Sequence, residues 1–288
     1  MSHIRPATLY EFFHPISTYV TPLCAFVGQE GYVIGTAVIL APGIAVAASH
    51  VIQDILKKYG LGHKDSNIEL DLYVMQLNTG ACWYVSNSSS WVGTDITVLS
   101  LVPRNDIAAN IKIEKLPINV DPPPESSKIS ALGYPDTKLT IPQNDSDITK
   151  LNISITPTVS EGKVLDIHHS FRDRAILRFP CFTVDAEFLG GMSGGAVFNE
   201  NRELCGLVCV GGKGELRNYS HAVSIWPMSI IPVVIPDPIS EYEDIKPGQT
   251  YKILELAKLG YINMKGHERI EFFEHENGSD GVRRHHQV

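Results

Sequence analysis

The sequence predicts an all-β protein built as two successive β units, with a short helix towards the C-terminus. Three observations carry this: a series of strand-length apolar runs from about Thr18 to Val234, a proline-rich interruption midway, and a change of composition after Pro236. A chain of 288 residues is long enough for two such units, each with a buried core. Hydrophobic content of 43% with only 19% charged residues is that of a globular protein and too apolar for a disordered one.

Residues 1–17 carry polar and charged residues throughout and read as an extension; they lack the unbroken apolar stretch of a secretion signal, so a cytoplasmic protein is expected. The first β unit, 18–115, contains strand-like runs at Cys24–Val27, Val33–Leu40, Ile44–Ala48, Leu70–Gln76, Ala81–Ser86 and Thr97–Val102. Its most apolar part, Tyr32 to Ala48, is β-branched and broken by Gly35, Pro42 and Gly43, which makes it two strands around a turn and not a membrane span. Between Pro103 and Ser127 the chain turns polar and proline-rich, with Pro122-Pro123-Pro124, as a connection between units would; the boundary falls near Leu116. The second unit, 116–236, carries runs at Ile129–Leu132, Ala175–Phe179, Ala196–Phe198 and Leu204–Val210. In the remaining tail, 237–288, Thr250–Leu259 has the spacing of an amphipathic helix ending at Gly260, expected to pack on the β core. The polar stretch from Glu274 to Val288, with Arg283-Arg284-His285-His286, is expected to be frayed.

Composition also excludes function classes. A net charge of −8, from 24 Lys+Arg against 32 Asp+Glu, with no dense basic run, argues against a nucleic-acid partner. The five cysteines, Cys24, Cys82, Cys181, Cys205 and Cys209, lack zinc-ligand spacing, and no His-Glu-x-x-His occurs. Buried thiols are expected, with no metal and no cofactor.

Three segments could carry chemistry. Leu189-Gly190-Gly191-Met192-Ser193-Gly194-Gly195-Ala196-Val197-Phe198 sets a serine in a glycine cluster that runs into a strand; glycine allows the tight bend that presents a hydroxyl and leaves backbone N–H groups free. Ile44-Ala45-Val46-Ala47-Ala48-Ser49-His50-Val51-Ile52 puts a histidine directly after an apolar strand, a rigid mount for a base. Thr94-Asp95-Ile96-Thr97-Val98-Leu99 starts another strand with an acid. Taken singly, each has a plain structural alternative: a glycine turn, a half-buried histidine of the kind expected at His168 and His169, and a turn-forming aspartate.

In this order, His50, Asp95 and Ser193 resemble the trypsin-like serine peptidases, the family used as a template for catalysis by such a triad. Ala48-Ser49-His50, Asp95-Ile96-Thr97-Val98-Leu99 and Gly191-Met192-Ser193-Gly194-Gly195 each match a signature of that family, and Gly133-Tyr134-Pro135 is similar to the start of its second barrel. The resemblance implies two six-stranded antiparallel β-barrels with the active site between them. It implies a serine endopeptidase in which Ser193 attacks, His50 moves the proton, Asp95 orients His50, and the amides of Gly191 and Ser193 receive the oxyanion. Cys209, Val210 and Gly211 would pair with an extended polypeptide substrate. Two departures mark this chain: Met192 stands where secreted members have the aspartate that receives a new N-terminus, and Val51 removes the usual disulfide beside the histidine. Both suit intracellular bacterial-type or heat-shock-protease-like members, which implies activation by a protein partner or by loop ordering. Substrate preference stays open between Glu187 as a pocket floor for Lys or Arg, His221 as a back wall favouring an acidic residue, and an apolar pocket lined by Phe188 and Leu189. The alternative from another class is a catalytically silent module that uses the groove for protein binding.

Overall fold

A computed structural model describes residues 3–8, 18–28, 30–60, 70–135, 137–140, 152–154, 156–211, 219–237, 244–275 and 279–285. Six antiparallel strands close the first barrel: β1 (Val20–Val27), β2 (Glu30–Ala41), β3 (Ile44–Ala48), β4 (Leu70–Gln76), β5 (Ala81–Ser90) and β6 (Ile96–Pro103), paired in the order β1-β2-β3-β6-β5-β4 and back to β1. The second ring is made by β7 (Lys128–Gly133), β8 (Thr158–His168), β9 (Cys181–Val184), β10 (Ala196–Phe198), β11 (Leu204–Val210) and β12 (Ser220–Ser224). Its order is β10-β7-β8-β9-β12-β11, closed by pairing of β11 with β10. The expected pair of six-stranded barrels is therefore present.

The unbroken apolar run of β3 follows from its place. Ala45 and Ala47 turn into the barrel with Leu23, Ile39, Val74 and Leu99, whereas Ile44 and Val46 turn outward into a layer shared with Leu132, Tyr134 and the C-terminal segment. Side chains alternate along a strand, so one buried on both faces has no polar positions. The second barrel has its own interior of Ile129, Val164, Phe182, Val197, Val208 and Ala222.

The tail covers the shared layer. Helix α2 (Ile253–Lys258) buries Ile253, Leu254, Leu256 and Ala257, and the fully buried Tyr261 donates its hydroxyl to the Pro42 carbonyl. At about 1.5–3 kcal/mol for each large apolar side chain buried, this segment is part of the core. Strand Met264–Lys265 pairs in parallel with Ile118–Asn119, which in turn pairs with β11. The expectation of a frayed end is corrected: Asp280–Arg284 pairs with Ile270–Glu274, and Arg269 and Arg284 both bond the Asp121 carboxylate. Charge-assisted bonds and the burial of Val282 hold a segment whose polar sequence reads as loose. Residues 286–288, including His286, lie outside the described residues. At the other end, His3–Pro6 pairs with β8.

A second correction concerns Ala175–Phe179, which forms no strand. The Asp173 carboxylate accepts from the N–H groups of Ala175, Ile176 and Leu177, donors that a strand would need for its ladder. All five cysteines are free, and Cys24, Cys181, Cys205 and Cys209 are buried. Among the described residues no helix is long and apolar enough to cross a membrane.

Candidate active site

β3 runs straight into helix α1 (Ser49–Lys58), so His50 lies on the first turn of a helix and not at a free strand end. A helix start leaves N–H groups without acceptors inside the helix, and the preceding Ala48 has no side chain to receive them. Asp95, just before β6, supplies the acceptors: its carbonyl takes Ser49 N–H at 3.0 Å and its Oδ1 takes His50 N–H at 2.9 Å. Its Oδ2 lies 2.6 Å from His50 Nδ1. A carboxylate only accepts, so Nδ1 carries the proton and Nε2 is left as the basic nitrogen on the far side of the ring. The Ser49 and Thr97 hydroxyls, 2.8 Å apart and buried, fasten the start of α1 to β6.

Cys209 on β11 adds a further donor, its Sγ–H to Asp95 Oδ2 at 3.1 Å. Burial, with the Asp95 charge and hydrogen bond, holds this thiol well above its usual range, so it keeps its proton. His50, Asp95 and Cys209 each offer one atom within 4.8 Å of the others, a spacing that suits a metal ion. Here the His50 and Cys209 atoms are joined to the carboxylate through protons that a metal would have to displace.

The serine loop lies between β9 and β10. Gly191 and Gly194 have φ of 90° and 82°, backbone that side chains rarely adopt. Gly194 N–H donates to Val208 O, and Val208 N–H returns a bond to Gly195 O, both at 2.8 Å, which seats the loop on β11. From the first barrel, Thr36 holds the loop at several points. Its N–H donates to Ser193 O at 2.9 Å, and its Oγ1 donates to Gly191 O at 3.0 Å while accepting from Tyr134 N–H at 3.1 Å. The carbonyls of 191 and 193 are thereby occupied, whereas the N–H groups of Gly191 and Ser193 have no partner among the described residues. Ser193 Oγ donates to Cys209 O at 3.5 Å; it forms no hydrogen bond with His50, although both open onto one cleft of about 320 Å³. Such contacts are often long before substrate arrives.

Burial lowers the basicity of His50, but the hydrogen bond and charge of Asp95, aided by Asp54, outweigh it and leave the imidazole above its ordinary value of 6.5. A base must be neutral to act. The rising limb of kcat/KM against pH is therefore expected to have its midpoint above 6.5, and Asp54→Asn is expected to move that midpoint down, as read from initial rates between pH 5 and 9.

The residues expected to read substrate are less uniformly placed. Val210 pairs with His221, and a Cβ on Gly211 would lie 2.1 Å from Phe188 O, so these segments lie together, joined to Ser193 through Cys209 O. Phe188 buries its ring in the second barrel's core, and Leu189 packs against that core. Glu187 is half-buried and makes no hydrogen bond or ion pair among the described residues. His221 is buried, and its Nδ1 lies 3.1 Å from Thr183 Oγ1, which is itself 3.0 Å from His168 Nε2. Burial, then the charges of Arg172 and His168, push His221 down to about 4. Sequence reasoning missed Thr36, Thr183 and the role of His168. A strand threonine, and a histidine far in sequence from the one it serves, carry no local signal, because each acts on a different strand.

Thr36→Val would keep the shape of that side chain but leave Gly191 O and Tyr134 N–H unpaired. At about 1–3 kcal/mol for each stranded buried group, turnover is expected to fall roughly tenfold or more through a loosened loop, with a lowered Tm in a thermal melt.

Residues 26–207 match the family model of the trypsin-like peptidase domain. The chain belongs to that family. Among solved structures, this trypsin-like peptidase domain is similar to Rv3671c from M. tuberculosis H37Rv, an inactive form of a serine-to-alanine mutant, at 15% identity and TM-score 0.45, over 77% of this chain and 92% of that one. It is similar to the HtrA-type protease AlgW with decapeptide at 14% identity and TM-score 0.49, over 74% of this chain and 64% of the other. It is also similar to the serine endoprotease from Yersinia pestis at 17% identity and TM-score 0.45, over 76% and 63%. The chain thus spans just under two thirds of the latter two. No match was found among curated protein sequences.

Proposed function

We propose that this trypsin-like peptidase domain is a serine endopeptidase with Ser193 as nucleophile, His50 as general base and acid, and Asp95 as the group that orients His50. The observation that carries this reading is the 2.6 Å hydrogen bond that His50 Nδ1–H donates to Asp95, which leaves Nε2 basic in the cleft that also holds Ser193 and the amides of Gly191 and Ser193, unpartnered among the described residues. Ser193 Oγ attacks the scissile carbonyl as His50 Nε2 takes its proton. The oxyanion rests on the two amides, and His50 returns the proton to the departing amine, leaving an acyl-enzyme. Water, activated by the same imidazole, releases the acid. Backbone pairing along Cys209, Val210 and Gly211 suits an extended polypeptide.

The side chain before the cut is read by His221. Asp166 Oδ2 lies 3.7 Å from His168 Nε2 and favours a proton there, so Thr183 donates onward to His221 Nδ1 and the His221 proton resides on Nε2. That N–H has no partner among the described residues. It suits a side chain ending in a carboxylate or amide oxygen, and the nearby charge of Arg172 favours the carboxylate. Matched peptides with Glu or Gln before the cut are expected to exceed those with Lys at least tenfold in kcat/KM, since a site built to donate leaves its donor unpaired otherwise. The Glu to Gln ratio is expected to stay nearly level from pH 6 to 8, because His221, pushed down to about 4, is neutral across that range and donates to either oxygen.

The test is a fluorophosphonate probe applied to the protein beside Ser193→Ala, with the adduct mapped by mass spectrometry. An adduct confined to Ser193 supports the reading; none, with and without added cell extract as a source of an activating partner, assigns the groove to protein binding.

A further inference from the structure

The cleft does not end at Ser193. Beyond His50 it continues along α1, whose residues His50, Asp54 and Lys58 recur at every fourth position, with Val51 and Ile55 in a parallel row one position on. Val51 and Ile55 are buried and, with Ile34 of β2, floor the groove, while Asp54 and Lys58 stand exposed at its rim. At 1.5 Å per residue, the eight positions from His50 to Lys58 span about 12 Å, the length of three to four residues of extended chain.

The chemistry fixes which part of a substrate lies here. On the reading proposed above, Cys209, Val210, Gly211 and His221 receive residues before the scissile bond, on the flank where Ser193 Oγ meets Cys209 O. His50 must protonate the departing amine, so the chain beyond the bond leaves past His50, over the face of α1. From this, and resting on the serine endopeptidase reading, we infer that α1 is a binding surface for the leaving-group side of the substrate. It takes an aliphatic residue directly after the cut and an acidic residue about three positions further on.

The aliphatic preference comes from the Ile34, Val51 and Ile55 floor. The acidic preference comes from Lys58, which is exposed at the rim and whose ammonium meets the Glu30 charge only beyond ion-pair distance. It is steadied over the rings of Tyr32 at 4.2 Å and Tyr59 at 5.0 Å. Those tyrosines hydrogen-bond each other and Glu30, which braces the platform from behind. Asp54, nearer the scissile bond, disfavours acid in the first positions.

Acyl transfer reads this surface directly. A peptide ester forms the acyl-enzyme, and an added amine competes with water: its nitrogen attacks the acyl carbonyl, the Ser193 ester bond breaks, and an amide leaves with the acceptor's surplus proton passed through His50. Leu-NH₂ is expected to capture about tenfold more acyl group than Gly-NH₂, as burial of one leucine side chain requires. Leu-Ala-Ala-Glu-NH₂ is expected to exceed Leu-Ala-Ala-Lys-NH₂ about threefold at low salt, the scale of an exposed ion pair, with the preference reversed in Lys58→Glu. Binding of the same two peptides to Ser193→Ala, and to that protein carrying Lys58→Glu, is measured by fluorescence anisotropy in parallel. Equal capture of all acceptors by a labelled, ester-hydrolysing enzyme overturns the α1 surface and leaves the peptidase reading intact. Failure to form an acyl-enzyme, with charge-dependent peptide binding retained, removes the peptidase reading and keeps the surface; binding indifferent to Lys58→Glu overturns the surface in either case.

Discussion

Asp95→Asn is expected to lower kcat by about 10⁴, the scale known for the corresponding change in the template triad, and to lower stability as well. The two effects have one origin, because a single carboxylate accepts from His50 N–H, His50 Nδ1–H and Cys209 Sγ–H. An amide in its place has one oxygen and one NH₂ group, so at least one of these donors would face another donor. Turned one way, the NH₂ opposes His50 Nδ1, and the imidazole is driven to the tautomer that carries its proton on Nε2, where it cannot accept from Ser193. Turned the other way, the first turn of α1 loses its acceptor and the negative charge that favours a helix N-terminus, worth about 0.5–2 kcal/mol. Single-turnover rates and thermal melts of the same protein check both. A large loss of kcat with an unchanged Tm would confine Asp95 to orientation; a lowered Tm with full activity would make it a helix cap alone.

Gly194→Ala is expected to abolish detectable turnover while leaving both barrels folded. An added Cβ would lie 2.2 Å from the Thr36 carbonyl oxygen and 2.8 Å from the Ala48 amide nitrogen, both backbone atoms that no rotamer change can clear. The φ of 82° at this position adds strain of about 1–2 kcal/mol for any L side chain. The loop must move away from β2, taking the Ser193 amide with it, and losing one oxyanion donor alone costs about 10²–10³ in turnover. Burst kinetics with an activated ester read the loss, and far-ultraviolet circular dichroism checks that the strands persist. A Gly194→Ala enzyme turning over at a tenth of the wild-type rate or better would show that the loop is less constrained than these contacts imply.

Much of the architecture was legible in the sequence because its signals are local. Period-two apolar runs, glycine and proline punctuation, and the segments around His50, Asp95 and Ser193 each lie within about ten consecutive residues, and the expected all-β body of two barrels followed from them. The C-terminal helix was read too long but in the right place, since Ile253, Leu254, Leu256 and Ala257 carry its periodicity. Helix α1 was missed because the apolar strand before it runs on into Val51 and Ile52, so no turn residue separates the two periods. The tail hairpin was misread because its stability comes from Asp121, over 140 residues away from both arginines it binds.

The sequence by itself determined most of the strands, the all-β body of two barrels, and the glycine-rich bend that carries Ser193. Only the tertiary structure decided that Asp95 caps the helix bearing His50, that Thr36 clamps the serine loop across the barrels, that His168, Thr183 and His221 form one hydrogen-bonded chain, and that the cleft at Ser193 continues along α1. These are hydrogen bonds and contacts between strands far apart in the chain, and a hydrogen bond reports its partner only once closure of the barrels has brought the two together.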